Sequence, residues 1–449
     1  MTGASPGPLL RRLRSLVLGD TVTQVGSVLW TSGSILVAQV LLAANGLFSA
    51  RLLGPGGKGV SAAVLTWMQL LIWGASAPLS IAELVNVPRR CDDGDFQSDC
   101  VAQALGNAVV YVSTVGVIVA GVAAIVLPRT LSHLGSGAST LTLLALATVP
   151  LGMFGTIAAA VQLALGRRSR FNAAQVANPI VMTAVVVWFA ATSTLTPGNV
   201  VVAAVAGTVA AAIVVCRGLP WRKLAVDLHT MRSDLRFGFK AHLGSLFRLT
   251  NLRLDYLVMS AVVPAKELGL YATANNLLLP LFTLPTAVST LLAVKVAKAS
   301  MAHDETGGAA TRQLAMIQAE AFRYSLLSVA GGVALGLMAS LVVPLVLGDA
   351  YRGTLGLVWL LLPGTVLLCY TTIATAGAVS MHKVWVGVAS EAAAAIVTVS
   401  LLPILLPSWR AKGAATTSSV AYAVSAAVAG VGLAVMRRNM TRSRSVVPD

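Results

Sequence analysis

The chain alternates long apolar stretches with short polar connections along its whole length. Each apolar stretch has about 20 residues or more, enough for a helix to cross the roughly 30 Å hydrocarbon core of a bilayer. The connections contain turns typical of helix ends, as in Gly54-Pro55-Gly56-Gly57. The pattern predicts an all-α integral membrane protein with about twelve transmembrane helices. They are predicted at residues 25–50, 59–84, 101–127, 140–165, 172–195, 199–216, 241–263, 270–294, 322–347, 355–380, 384–406 and 413–436.

Composition and charge fit this architecture. Of the 449 residues, 56% are hydrophobic and 11% are charged, whereas a soluble domain has about 25% charged residues. The mean hydropathy is +0.82. With a cytosolic amino terminus, 23 of the 32 Lys and Arg lie in cytosolic tails and loops and 7 in outer loops. This asymmetry predicts that both termini are cytosolic, and it explains most of the net charge of +16 without a nucleic-acid partner.

A weak internal repeat predicts two halves. A shift of 210 residues places GVSAA at 59–63 on GLYAT at 269–273, each at the start of the second helix of a set of six. The same shift places Asn45 on Asp255. Because six is an even number, the two six-helix bundles should have the same orientation and be related by an axis along the membrane normal; the family resemblance given below implies that they enclose a central cavity.

The repeat and the connections predict how the chain is divided. The connection between the halves has apolar residues at helical spacing, so it is either a helix in the membrane interface or a solvated linker. Those residues are Leu224, Leu228, Met231 and Leu235. The predicted segments are a cytosolic tail 1–24, a first half 25–216, a cytosolic linker 217–240, a second half 241–436 and a basic cytosolic tail 437–449.

Three ionisable residues interrupt the seventh predicted span, namely Arg248, Arg253 and Asp255. Its ten Leu, Phe and Val residues together favour insertion by roughly 3–6 kcal/mol, whereas three central charges oppose it by roughly 7.5–10 kcal/mol. The charged sides of this helix should therefore line a bundle interior or a water-filled cavity. At about 100° per residue, Arg248, Asn251 and Asp255 share one stripe, and Arg253 lies about 140° from Arg248.

Two further acids fall within predicted spans, Glu391 in the eleventh and Glu83 near the cytosolic end of the second. Glu391 is about as deep as Arg248 and is its candidate partner. A cationic cavity attracts an anionic headgroup, and the acids can carry a proton or pair with arginine between substrates. The alternative is a buried ion-pair network that only holds helices together. The predicted substrate-binding residues from this reasoning are Arg248, Asn251, Arg253 and Asp255, and the ion-coupling candidates are Asp255, Glu391 and Glu83.

The sequence does not predict an enzyme. The five His are scattered, and there is no phosphate-cradling Gly-x-x-x-x-Gly-Lys-Ser/Thr loop and no His/Cys spacing of a metal site. No catalytic residue, cofactor or bound metal is therefore expected. Cys91 and Cys100 flank a predicted cytosolic loop, where no disulfide is expected.

Three segments carry a resemblance to a known family. SARLLGPGGKGVSAAV at 49–64 resembles a first-loop pattern of Arg, Leu-Gly-Pro and a Gly that opens the second helix. NLRLDYLVMSAVVPAKELGLYATANNLLLPLFTLPTAV at 251–288 is similar to a segment with Asp in the seventh helix followed by Leu-Gly-x-Tyr. LRFGFKAHLGSLF at 235–247 resembles the entry into the second half. The family is the polysaccharide (O-antigen type, Wzx-like) flippase family of the multidrug/oligosaccharidyl-lipid/polysaccharide exporter superfamily.

The resemblance implies a flippase of the cell (plasma or inner) membrane. It would move a polyprenyl-diphosphate-linked oligosaccharide from the cytosolic to the outer leaflet by alternating access. By motif position, Asp255 and Arg51 carry over as site residues. Besides the lipid-linked substrate and membrane lipids, a polysaccharide polymerase or glycosyltransferase is a candidate partner.

Two alternatives stay open on sequence grounds. An ion-coupled drug or small-molecule antiporter of the same fold would be expected to place acids in the first half, where Asn45 stands at the position equivalent to Asp255. The seventh span also has two Arg against one Asp, which favours an anionic substrate. A membrane scaffold for glycan enzymes, without transport of its own, is the other alternative.

Overall fold

The computed structural model describes residues 8–90, 99–135, 137–192, 194–282, 309–381 and 383–445, together with 285, 286, 288, 289 and 292. All regular secondary structure in this part of the chain is helical, so the predicted all-α class is confirmed. The α-helices are α1 (Pro8–Arg90), α2 (Asp99–Tyr111), α3 (Val117–Leu131), α4 (Ala138–Ala147), α5 (Val149–Ala164), α6 (Arg168–Thr192), α7 (Pro197–Cys216), α8 (Leu228–Val262), α9 (Ala265–Leu278), α10 (Ala309–Val342), α11 (Arg352–Ser380) and α12 (Trp385–Ser445). The π-helical turns are Val112–Gly116 and Val343–Leu347.

Eight helical stretches of the described residues are long and apolar enough to cross a membrane. They contain ten of the twelve predicted spans, because α1 and α12 each hold two spans separated by a bend. The backbone leaves helical geometry at Gly54 (φ 67°) in α1 and at Arg410 (φ 46°) in α12. The seventh span lies in α8, which carries the three charges, and the eighth begins in α9 and ends outside the described residues.

Helix α8 joins part of the predicted linker to the seventh span. It runs without interruption from Leu228 to Val262, so residues 228–240 belong to the same helix as the charged span. Asp227 caps it, because its carboxylate accepts hydrogen bonds from the backbone N–H groups of His229 (3.0 Å) and Thr230 (3.2 Å). The hydroxyl and the backbone N–H of Thr230 hold the pKa of this carboxyl below its usual range.

One prediction about cysteine is wrong. Cys100, in the first turn of α2, is disulfide-bonded, although no disulfide was expected in this region. The rule behind that expectation concerns the redox compartment and does not say whether two thiols meet in the fold. Cys91 lies outside the described residues, and Cys216 and Cys369 are free.

The two halves meet in a pair of equivalent glycine contacts. A Cβ atom on Gly59 would lie 1.8 Å from the carbonyl oxygen of Ala265, and one on Gly269 would lie 1.8 Å from the carbonyl oxygen of Pro55. The shift of 210 residues relates the two contacts. It places Pro55 on Ala265 and Gly59 on Gly269. The contacts are therefore those expected of two halves related by a twofold axis, and each needs a residue without a side chain.

Two polar contacts accompany the glycines. The Tyr351 hydroxyl donates to the carbonyl oxygen of Ala50 at 2.7 Å, and Arg51 Nη1 donates to the carbonyl oxygen of Val346. Each joins the first half to the second. The four contacts together, Gly59–Ala265, Gly269–Pro55, Tyr351–Ala50 and Arg51–Val346, are called the outer seal below, because the predicted topology places these residues on the outer side.

Helix α8 packs between α1 and α12. On the α1 side, the Trp67 indole N–H donates to the Ser260 hydroxyl at 3.0 Å. On the α12 side, Asn251 and Asp255 each hydrogen-bond to an α12 side chain. The charged helix is thus enclosed by both halves of the protein, as its cost of insertion into lipid requires.

Candidate functional site

Asp255 is the centre of a buried polar cluster. Its side chain is enclosed, with the residue only 2% exposed, and one carboxylate oxygen accepts hydrogen bonds from the hydroxyls of Tyr271 and Ser418, the latter at 3.0 Å. The other oxygen accepts the backbone N–H of Tyr256 at 2.7 Å. The two hydroxyl oxygens are 3.2 Å apart. Asp255, Tyr271 and Ser418, called the Asp255 centre below, join α8, α9 and α12 through one carboxylate.

Aromatic rings surround this centre and hold Arg253. The Tyr256 and Tyr271 rings meet edge to face with centroids 5.2 Å apart. The guanidinium carbon of Arg253 lies 6.0 Å from the ring centroid of Tyr256 and 6.0 Å from that of Trp73 in α1. Since aromatic faces attract cations at this distance, Arg253 faces α1, on a different side of α8 from the Asp255 carboxylate.

One turn earlier in α8, Asn251 joins this helix to Glu391. The Asn251 amide donates to the Glu391 carboxylate at 3.1 Å, and the buried amide oxygen of Asn251 has no partner among the described residues. The Arg248 side chain is exposed, and the ion pairs among the described residues do not join it to Glu391. The structure therefore joins Asn251 to Glu391, one turn of α8 before Asp255, whereas Arg248 lies a further turn earlier in α8 and is exposed.

Glu83 lies elsewhere, in a group called the cytosolic cluster below, because the predicted topology places it on the cytosolic side. The Asp234 carboxylate is bound by Arg90 at 2.6 and 2.7 Å and by the Asn86 amide at 2.7 Å. Glu83 is fully buried, interacts electrostatically with Asp234 and Arg90, and its carboxylate oxygens have no hydrogen-bond partner in the described part of the chain. The cytosolic cluster joins the end of the second span to the start of α8, so Glu83 is not part of the Asp255 centre.

We expect Arg90→Ala to destabilise the protein by about 1–3 kcal/mol, because it leaves the buried Asp234 carboxylate without its charged donor. The Asp234 side chain is 3% exposed and that of Arg90 is 35% exposed. Arg352→Ala is the matched control, because the Arg352–Asp349 pair is 72% and 81% exposed and should contribute about 0–1 kcal/mol. Thermal unfolding of both variants in detergent measures the difference, and equal midpoints would contradict the prediction.

Arg51, a site residue by motif position, is separate from both groups. Its guanidinium contacts Val346 in the outer seal, and its side chain is exposed. The structure also adds residues that the sequence reasoning did not select. Tyr271 could have been found, because it is the Tyr of the Leu-Gly-x-Tyr element, whereas nothing near Ser418 or Trp73 in the sequence indicates their contacts.

The chemistry available to the site is binding and charge compensation. Arginines within a membrane helix can hold an anion, and a carboxylate surrounded by hydroxyls can exchange a proton or a small cation. In the part of the chain that the structure describes, no group of three or more His, Cys, Asp and Glu side chains is placed to hold a metal ion.

Known structures share the fold along nearly the whole chain. The lipid II flippase MurJ in an inward closed conformation gives a TM-score of 0.71 at 10% identity, with 93% of each chain covered. An inward-facing multidrug resistance MATE family transporter of the MOP superfamily gives 0.64 at 14% identity, with 94% of this chain and 96% of that one covered. A MOP superfamily transporter from Pyrococcus furiosus gives 0.57 at 13% identity, with 92% and 95% covered. At these identities the likeness shows the fold, and it agrees with the predicted arrangement in two helical bundles.

A family model provides the sequence relationship. No curated protein matches the sequence significantly. Residues 97–355 match the model described as "Polysaccharide biosynthesis protein", and this range is more than half of the chain. The chain therefore belongs to this family of polysaccharide biosynthesis proteins and has the membrane fold of the MOP superfamily.

Proposed function

We propose that the protein is a flippase that moves a polyprenyl-diphosphate-linked oligosaccharide from the cytosolic to the outer leaflet of the cell membrane. Membership in the polysaccharide biosynthesis family supports a role in glycan export, and the fold shared with a lipid II flippase supports transport of a lipid-linked molecule. The two halves would open alternately to the two sides of the membrane. A polymerase or glycosyltransferase would act on the glycan before or after this step.

The observation that carries the proposal is the cationic excess of α8. The ion pairs among the described residues, Arg90–Asp234 and Arg352–Asp349, include neither Arg248 nor Arg253. Arg253 is held over aromatic rings and Arg248 is exposed, so both guanidinium groups keep donors for a further partner. A guanidinium group presents planar donors that match the oxygens of a phosphate. A diphosphate could therefore bind both arginines while its lipid chain stays in the bilayer.

Coupling to an ion would fall to the acids. Asp255 follows Arg253 by two residues in α8, and Glu391 contacts Asn251, one turn from Arg248. A proton or cation bound to either acid would compete with pairing of that carboxylate with an arginine between substrates. Glu83, without a hydrogen-bond partner among the described residues, would act at the cytosolic cluster instead. Glycan export that continues unchanged after the proton gradient is collapsed would exclude proton coupling through these residues.

We expect Arg248→Ala and Arg253→Ala each to lower glycan export by about 10-fold, since a hydrogen bond between charged groups contributes about 1.5–3 kcal/mol. The measurement is export of labelled lipid-linked glycan in cells, with the membrane abundance of each variant determined in parallel. Arg129→Ala is the control, because Arg129 is exposed and, among the described residues, its side chain hydrogen-bonds to the carbonyl oxygen of Ile125 in its own helix.

The outcomes separate the proposed function from its alternatives. Export at the wild-type rate in both variants would rule out arginine binding of the diphosphate and favour a scaffold role. Drug resistance on expression, without glycan export, would favour an antiporter. Loss of export at normal abundance in both variants, with Arg129→Ala unaffected, is the result that the flippase mechanism requires.

A further inference from the structure

Lys58 is a buried cation that the mechanism above does not use. The residue is 8% exposed, and its ammonium group donates to the Ser49 hydroxyl at 3.2 Å. An ammonium group has three donors, and the ion pairs of the described residues do not include this one. Burying an ammonium group without a counter-charge costs several kcal/mol.

The internal repeat shows that the fold does not need a lysine at this position. The shift of 210 residues places Lys58 on Leu268, which is 0% exposed. Leu268 precedes Gly269 as Lys58 precedes Gly59, so both residues occupy equivalent places beside the paired glycine contacts. An apolar side chain fills one of these places, and the unfavourable burial of charge at the other therefore indicates a function.

Lys58 lies next to contacts of the outer seal. Gly59 follows it directly and contacts Ala265, while Tyr351 binds the carbonyl oxygen of Ala50, next to the Ser49 partner of Lys58. Both contacts come from the opposite half. Any motion that separates the halves on this side must break them, and it would expose the ammonium group to the cavity and the outer solution.

We propose that Lys58 is a second anion contact, which binds the phosphate groups of the substrate when the outer seal opens. The proposal rests on the proposed function for the identity of the substrate. In the sealed state the ammonium group is enclosed and binds Ser49. Once the seal opens, the cation lies at the outer end of a path that begins at Arg248 and Arg253, so it draws the headgroup toward the outer leaflet.

The first test uses inorganic pyrophosphate as the probe, with purified full-length protein and calorimetric titration. We expect Lys58→Met to weaken pyrophosphate binding by about 10-fold, as loss of one charge-assisted hydrogen bond predicts, and Lys58→Arg to retain it. Lys266→Met removes an exposed lysine of the same outer region and should bind like wild type. Unchanged binding by Lys58→Met, or no binding by wild type, would overturn the proposal.

The second test measures export of labelled lipid-linked glycan in the same variants at equal membrane abundance. Lys58→Met should lose most export, and Lys58→Arg and Lys266→Met should keep it. Ser49→Ala removes the hydroxyl partner but keeps the charge, so it should export normally; a loss as large as that of Lys58→Met would show that Lys58 acts only through this hydrogen bond.

The two tests fail in different ways. If Lys58→Met exports normally but binds pyrophosphate more weakly, Lys58 binds a free anion. That result would overturn its proposed role in binding the lipid-linked substrate. Wild-type protein that binds pyrophosphate through Lys58 but exports no glycan would refute the proposed function and leave the anion contact in place.

Discussion

Replacing Gly59 or Gly269 by alanine is expected to reduce glycan export strongly, and by a similar factor for the two variants. Each new Cβ atom would lie 1.8 Å from a carbonyl oxygen of the opposite half, so the backbones must move apart. Overpacking of this kind costs about 1–3 kcal/mol, which makes the sealed state about 5-fold to 140-fold less populated. A transporter that cannot seal its outer side cannot complete the alternation.

Gly56→Ala is the matched control in the same loop, because no atom lies within 4 Å of a Cβ at Gly56. Export and membrane abundance of the three variants should be measured together. Normal export by Gly59→Ala or Gly269→Ala would show that the seal is not needed for transport. A large difference between those two variants would contradict their equivalence under the twofold axis.

Asp255→Ala is expected to abolish export and to destabilise the fold. It removes the acceptor for the hydroxyls of Tyr271 and Ser418 and for the backbone N–H of Tyr256. A buried donor left without an acceptor costs about 1–3 kcal/mol, and three such donors should lower the thermal midpoint well below that of wild type.

Asp255→Asn separates structure from charge. It keeps the shape of the side chain and one oxygen acceptor, and both hydroxyls can turn to accept from the new amide group. We expect near-normal thermal stability with export reduced by at least about 10-fold, since the ionisable group is lost. Tyr271→Phe, which removes one donor and no charge, should retain more export than Asp255→Asn. If Asp255→Asn exported glycan at the wild-type rate, the charge of the carboxylate would not be needed for transport, and Asp255 would serve only as a structural hydrogen-bond acceptor.

The sequence predicted the spans well, because whether a segment can cross the lipid depends on the polarity of about 20 consecutive residues. The same reasoning singled out Arg248, Arg253 and Asp255, since a charge in an apolar run is visible without any partner. The partners could not be predicted, because Ser418 is 163 residues from Asp255 in the chain and meets it only through helix packing. Glu83 and Glu391 are both ion-coupling candidates on sequence grounds, although packing places Glu83 in the cytosolic cluster and Glu391 beside Asn251.

The internal repeat also shows that contacts between distant residues are not predictable from the sequence. A few small residues at a spacing of 210 indicated two related halves, but the weak identity did not show that the matched glycines touch the opposite half. That contact depends on the position of the twofold axis, which no single half specifies. In the sequence, Lys58 is one of the seven outer-loop charges, and nothing in its local sequence indicates that it is buried.

Helix α8 has 35 residues and no proline, so at about 1.5 Å per residue it is a rod of about 52 Å. Its cytosolic end is held by Arg90 through Asp234, and its outer end leads directly into Pro264 and Ala265 at the seal. A rigid rod turns about a point between its ends, so displacement at one membrane surface produces the opposite displacement at the other. The proposed substrate-binding residues Arg248 and Arg253 lie between these ends. In the proposed alternating mechanism, α8 is therefore a lever whose stiffness sets how tightly opening on one side enforces closure on the other.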